Sequence, residues 1–342
     1  MRTRQPIASA KIGRRNFLKI GAAAAASFGI AAPAIAQPRV RAMRFGHMLP
    51  TETVYHKAIV MFADEVNKIS GGKMKIDIYP SSQLGSIPEM LSQLKVGSLT
   101  MSMAVPAWYS NHMKPIDAFT LPYIVSSADR LKAALDGNVG KEINRMGQGA
   151  GFHVFGYWLL GGRHIVNKVR PVNVPADCQG LKLRVINSQV YIQAFRALGA
   201  STVAMDPAEL YVAMQQGVID GFEYPLPDLL AFKLNEVIKY ISLDNHTTDF
   251  FLVSMNKGIW DGLAPEEQAV INQAMKIAMD WQWKAQPEDI TAALAKLRTL
   301  VQVNEITPEN KKLFVEATRP VYAQFEGSIG KEFLALVIKE VG

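Results

Sequence analysis

Cysteine is almost absent from this 342-residue chain. Cys178 stands alone, so no internal disulfide can form and no cysteine-based zinc site is available. The six histidines (His47, His56, His112, His153, His164, His246) show no pairing at metal-ligand spacing, and no H-E-x-x-H helix occurs. G-x-S-x-G, the P-loop and G-x-G-x-x-G are also missing, which removes the usual apparatus of acyl transfer, nucleotide hydrolysis and dinucleotide chemistry. No run of about 20 strongly apolar residues is present to span a bilayer. The most apolar stretch, Ile20–Ile35, is mainly Ala and Gly and is broken at Pro33.

Acidic residues are missing from the first 36 positions. That segment carries six cations (Arg2, Arg4, Lys11, Arg14, Arg15, Lys19), then the apolar run, then the small-residue cleavage site Ala34-Ile35-Ala36. Arg14-Arg15-Asn16-Phe17-Leu18-Lys19 resembles a twin-arginine export signal, with Gly13 where Ser is usual. Residues 1–36 therefore read as a leader. Without it, residues 37–342 hold 31 Lys and Arg against 30 Asp and Glu, a net charge of +1. The basic excess belongs to the leader and gives no support to nucleic-acid or membrane-surface binding.

About 306 residues exceed a typical single core, so two lobes are expected. Tyr55, Ala58, Ile59, Phe62, Ala63, Val66 and Ile69 recur at helical spacing before the Gly71-Gly72 stop. Met74, Ile76 and Ile78 alternate as in a strand, and a helix opening at Pro88-Glu89 ends at Gly97. Strand and helix in succession predict parallel pairing with right-handed crossovers. The segment Glu89–Thr100 has a weak echo in Glu209–Asp220; each is a helix ending in Gly before a strand. Asp206 is placed to cap the second helix, with Pro207 in its first turn. Pro265-Glu266-Glu267 opens a long helix that Pro287 is expected to interrupt after Ala285, with a further helix through Leu294 and Leu297.

The chemistry concentrates in two blocks, Asp177–Val185 and Gln215–Pro225. Leu181, Leu183 and Val185 alternate with Lys182 and Arg184, so both cations leave one face of a strand. A guanidinium grips a carboxylate through two parallel hydrogen bonds, which Lys cannot imitate. Residue types alone leave Arg184, and Arg163 after Gly161-Gly162, open between a salt bridge and a ligand clamp. Tyr224, in a turn closed by Pro225, is placed to offer a phenol donor. No general base, nucleophile or metal cluster accompanies these residues.

Several blocks together resemble the DctP-type substrate-binding proteins of TRAP transporters. They are Pro80–Gly85, Gly161-Gly162-Arg163, Pro175-Ala176-Asp177 with Gly180–Val185, Glu209-Leu210-Tyr211, and Gln215–Gly221. The resemblance runs from about Arg44 to the C-terminus. It implies an α/β clamshell of the periplasmic-binding-protein type, with a long helix lying across both lobes. Residues 37–161 plus 250–289 are expected in one lobe, and 162–249 plus 290–342 in the other. It implies a small organic acid as ligand, no cofactor and no nucleic acid. The partner it implies is a sodium-coupled TRAP permease with small and large membrane subunits. It gives Arg184 as the carboxylate clamp, Arg163, Tyr224 and Asn187 as supports, and Glu223 as the match to a glutamate with which some relatives hold a metal ion. Two departures stand out. Tyr224 replaces a frequent Asn, and Pro207 replaces a frequent stacking aromatic. Both point away from sugar acids and sialic-acid-like ligands, towards smaller 2-oxo, 2-hydroxy or aromatic monocarboxylates. The alternatives are an exported enzyme acting on a small carboxylate and a binding module of another importer type.

Overall fold

Alternating apolar residues and Gly-terminated helices organise the chain around one mixed sheet. The computed structural model describes residues 40–342; the expected leader and its twin-arginine motif lie outside them. Nine strands are present among these residues: β1 Arg41–Gly46, β2 Met74–Tyr79, β3 Met101–Ala104, β4 Phe152–Asn167, β5 Lys182–Val185, β6 Ser201–Ala204, β7 Gly221–Pro225, β8 Tyr240–Asn256 and β9 Gln302–Glu305. Their order is β2-β1-β3-β8-β4-β7-β5-β6, with β9 beside β8. No described helix is long and apolar enough to cross a membrane.

The order is palindromic about β8 and β4. In one half β1 lies parallel to β2 and β3; in the other, β5 lies parallel to β6 and β7. The loose sequence echo marks this relation. After its two aligned helices, Gly97 (φ 78°) and Gly217 (φ 72°) take the left-handed conformation that glycine adopts without penalty. Met101 and Gly221, the next aligned positions, open β3 and β7, and they pair with Phe45 of β1 and Leu183 of β5. The parallel expectation holds within each half and fails at the centre. There β3–β8, β4–β8 and β4–β7 are antiparallel, because β4 and β8, of 16 and 17 residues, pass from one lobe to the other.

Helix Val54–Ile69 is capped by the Thr53 hydroxyl, which accepts from the His56 amide at 3.3 Å, and buries Tyr55, Ile59, Phe62 and Val66. The Asp206 carboxylate accepts from the Ala208 amide at 3.0 Å, and the 3₁₀ turn Pro207–Glu209 leads into the short helix Leu210–Gln215.

Pro287 does not end the long helix, which runs unbroken from Pro265 to Leu297. An interior proline costs about 3 kcal/mol, and side-chain bonds to β4 offset it on the preceding turn. Gln282 donates to the Leu159 carbonyl at 2.7 Å and accepts from its amide at 2.9 Å. The Trp283 indole donates to the Tyr157 carbonyl at 2.8 Å. Gln286 donates to the Leu160 carbonyl at 3.1 Å and to the Tyr55 hydroxyl at 2.7 Å. The helix enters three apolar cores in turn, through Met275, Trp283 and Leu297.

The C-terminal helix Lys331–Val341 buries Phe333, Leu334 and Val337 with Phe119, Leu131 and Leu135. It packs on the turn Lys114–Thr120 and the helix Ala128–Asp136. The preceding helix, Pro308–Ile329, reaches the same core through Val321 and Ile329.

Candidate ligand site

Arg184 is the third residue of β5 and is fully buried. Its Nε and Nη2 donate to the Met205 carbonyl at 2.9 and 2.6 Å, which fixes the plane of the guanidinium. Nη1 has no hydrogen-bond partner among the described residues and lies 3.8 Å from Glu223 Oε1. Lys182, on the same strand face, is exposed. Burial lowers the pKa of Arg184, and Glu223 opposes that shift. An arginine held rigidly on one edge, with an idle N–H on the other, is prepared for an incoming anion.

Arg163 reaches the same place from β4. A register shift separates Arg163 from Ile165, and such bulges re-aim side chains. Its Nε is hydrogen-bonded to Glu223 Oε2, its Nη2 donates to the Glu223 carbonyl at 3.3 Å, and its Nη1 lies 3.5 Å from Asp249. The guanidinium carbon sits 5.7 Å from the Tyr224 ring centre and 5.8 Å from that of Tyr191, within cation–π range.

Glu223 is the hub of this network. Burial opposes its ionisation, yet Arg163 and His246 hold the carboxyl down at about 2. Burial likewise disfavours a charged His246, but Asp244 and Glu223 raise it to about 9. Its Nδ1 lies 2.8 Å from Asp244, and its Nε2 lies 3.6 Å from Glu223.

A cavity with about 30 Å³ of room for water centres lies between the lobes. Arg163, Arg184, Tyr224 and Asp228 line it, and the remaining wall is apolar, including Met48, Met103, Trp108, Leu160, Ile186 and Phe251. Pro207 lines it too. One water needs about 10–15 Å³, so the walls close tightly.

Two expected site residues are placed elsewhere. Asn187 is exposed and does not line the cavity. It lies in the bend that follows β5, and Ile186 lines the cavity instead. Glu223 also lies off the lining, because it alternates with Tyr224 along β7 and meets the two arginines behind the wall. Its cationic neighbours do not suit a metal ion, and no described group of three His, Cys, Asp or Glu could hold one. Sequence reasoning overlooked Asp228, Asp244 and Asp249, and gave His246 only as one of six histidines. The available signal was the polar run Asp244–Asp249 inside the otherwise apolar β8.

Two lobes joined by long shared strands, with buried arginines facing an apolar cavity between them, define a solute-binding protein of the clamshell type. The chain belongs to the DctP family, bacterial extracellular solute-binding protein, family 7, whose model matches residues 45–328. It is 30% identical over 289 residues to the 2,3-diketo-L-gulonate-binding periplasmic protein YiaO of Escherichia coli, covering 84% of this chain and 88% of that one. It is 29% identical over 327 residues to the C4-dicarboxylate-binding periplasmic protein DctP of Rhodobacter capsulatus, covering 95% and 97%. Among solved structures, the sugar acid binding protein DctPAm from Advenella mimigardefordensis, in complex with galactonate, superposes with a TM-score of 0.86. That pair is 30% identical, over 89% of this chain and 98% of the other.

Proposed function

We propose that this chain is a periplasmic binding protein for an organic monocarboxylate with an apolar body, and that it delivers this acid unchanged to a two-subunit, sodium-coupled TRAP permease. The twin-arginine leader would export it folded. The observation that carries the reading is Arg184, which lines a mostly apolar cavity and whose Nη1, 3.8 Å from Glu223, has no hydrogen-bond partner among the described residues. Arg163 supplies the second positive charge, and Tyr224 packs on Arg163. The two departures at Tyr224 and Pro207 agree with the scarcity of polar groups in the wall, since a polyhydroxylated acid would leave hydroxyls unpaired there. In this reading β4 and β8 are the hinge, and ligand enters when the lobes swing apart.

A thermal-shift panel tests this. Branched, aromatic and short monocarboxylates are compared with their primary amides. A ligand at a hundredfold excess over its dissociation constant adds about 2.7 kcal/mol to folding stability. The expected result is a raised melting temperature with carboxylates and none with amides, and recovery of the acid unchanged after long incubation. Equal shifts with amides would remove the carboxylate clamp, and a converted acid would make the protein an enzyme.

A further inference from the structure

Asp228 is the one acidic side chain in the cavity wall. It occupies the first turn of helix Leu226–Ala231, where a carboxylate ordinarily accepts from free backbone amides. Here it makes no such bond. Asp228 is 4% exposed, and its Oδ1 has no hydrogen-bond partner among the described residues. A buried carboxyl oxygen left unpaired is costly, and persists where something else completes it.

The two arginines lining the cavity do not do so. Arg163 already spreads its three nitrogens over Glu223 and Asp249. Arg184 spends two of its own on Met205 and turns the third towards Glu223. Burial pushes the Asp228 carboxyl up to about 7, with Arg163 opposing the shift and Asp289 adding to it. The wall therefore offers Arg184, whose Nη1 alone lacks a hydrogen bond, for a carboxylate, and one unclaimed acceptor at Asp228.

We propose that Asp228 is a specificity-determining residue that accepts a hydrogen bond from a hydroxyl on the ligand, making the protein selective for hydroxy acids over the matching unsubstituted acids. The inference rests on the carboxylate reading of the Arg184 site and narrows its ligand class. Arg184 takes the carboxylate, the apolar wall takes the carbon skeleton, and Asp228 takes the hydroxyl. A site built to hydrogen-bond a hydroxyl rejects the analogue lacking it, because the protein group is then left unpaired.

The test uses titration calorimetry on the full mature chain with two matched pairs. One is 2-hydroxy-4-methylpentanoate with 4-methylpentanoate, and the other is 3-hydroxybutanoate with butanoate. The hydroxy member of at least one pair is expected to bind tenfold or more tighter, about what leaving a buried acceptor unpaired costs. In Asp228→Leu the ratio is expected to fall to about one, with the unsubstituted acid bound at least as well as by wild type. Equal affinities in wild type, or a ratio unchanged in Asp228→Leu, would overturn the assignment. Silence of both members of both pairs would instead refute the apolar monocarboxylate reading, and this inference with it. A ligand-free control separates selectivity from structure. Asp228→Leu should melt at or above wild type, whereas a drop of several degrees would make Asp228 a structural residue.

Discussion

Replacing Glu223 by Gln removes the one carboxylate that faces Arg163, Arg184 and His246 together. The side chain is fully buried. It bonds Arg163 Nε, lies 3.8 Å from Arg184 Nη1 and lies 3.6 Å from His246 Nε2. Removing one partner of a buried ion pair costs about 3–5 kcal/mol, since the remaining charge is left uncompensated. The carboxyl is held near 2 instead of its ordinary 4.5. At 1.36 kcal/mol for each tenfold change in proton affinity, that is about 3 kcal/mol in favour of the ionised form. Both routes agree. At roughly 2 °C per kcal/mol for a chain of this size, Glu223→Gln should melt about 6–10 °C below wild type at pH 7. The pH dependence carries the sign. A depressed carboxyl contributes stability that is fully present above pH 4.5 and lost as pH falls towards 2. The His246 contribution, from a raised pKa, is present below pH 6.5 and lost as pH rises towards 9. Circular-dichroism melts between pH 3 and 9 should show wild type falling away on both sides, and Glu223→Gln with a flatter acid side. A variant melting within about 2 °C of wild type at pH 7, with its acid decline intact, would refute the central place given to Glu223.

Other perturbations test separate parts of the account. A methyl at Gly221 would overlap the Val166 carbonyl oxygen and Asn167 Cβ on the paired strand. Gly221→Ala should therefore lower stability by at least about 1–3 kcal/mol, read by urea unfolding. Pro287→Ala restores a backbone donor inside a continuous helix. It should raise stability by about 2 kcal/mol, the helix gain less the entropy that proline removes from the unfolded chain; an unchanged midpoint would mean the helix pays no penalty there. Changing Arg14 and Arg15 together to Lys should hold the precursor in the cytoplasm, as a fractionation blot would show, if the leader is read by twin-arginine export.

The placement of Arg184 was legible because strand alternation is local. Leu181, Leu183 and Val185 place Arg184 on the polar face before any tertiary contact is known. The weak echo between Glu89–Thr100 and Glu209–Asp220 marked a Gly-ended helix before a strand in each half, and β3 and β7 start just after it. What surrounds Arg184 was not local. Glu223 meets Arg163 across 60 residues, and Asp244, His246 and Asp249 arrive on β8, the strand paired with β4. Alternation along β7, applied to its neighbour, would have set Glu223 behind Tyr224. Pro287 misled for the opposite reason. Its local penalty is real, but Gln282, Trp283 and Gln286 tie the preceding turn to β4, and no pattern in the helix announces those bonds.

The measurement that bears most directly on the account is calorimetric titration of Arg184→Met with the best carboxylate found for the wild-type protein. Losing one partner of a desolvated charge pair costs about 2–5 kcal/mol, so the dissociation constant should rise by roughly 30-fold to several thousandfold. Arg184→Lys should fail to restore it, because an ammonium cannot hold the Met205 carbonyl and a carboxylate together as the guanidinium does. Wild-type affinity in Arg184→Met would contradict the carboxylate clamp, and with it the reading of this cleft as an organic-acid site.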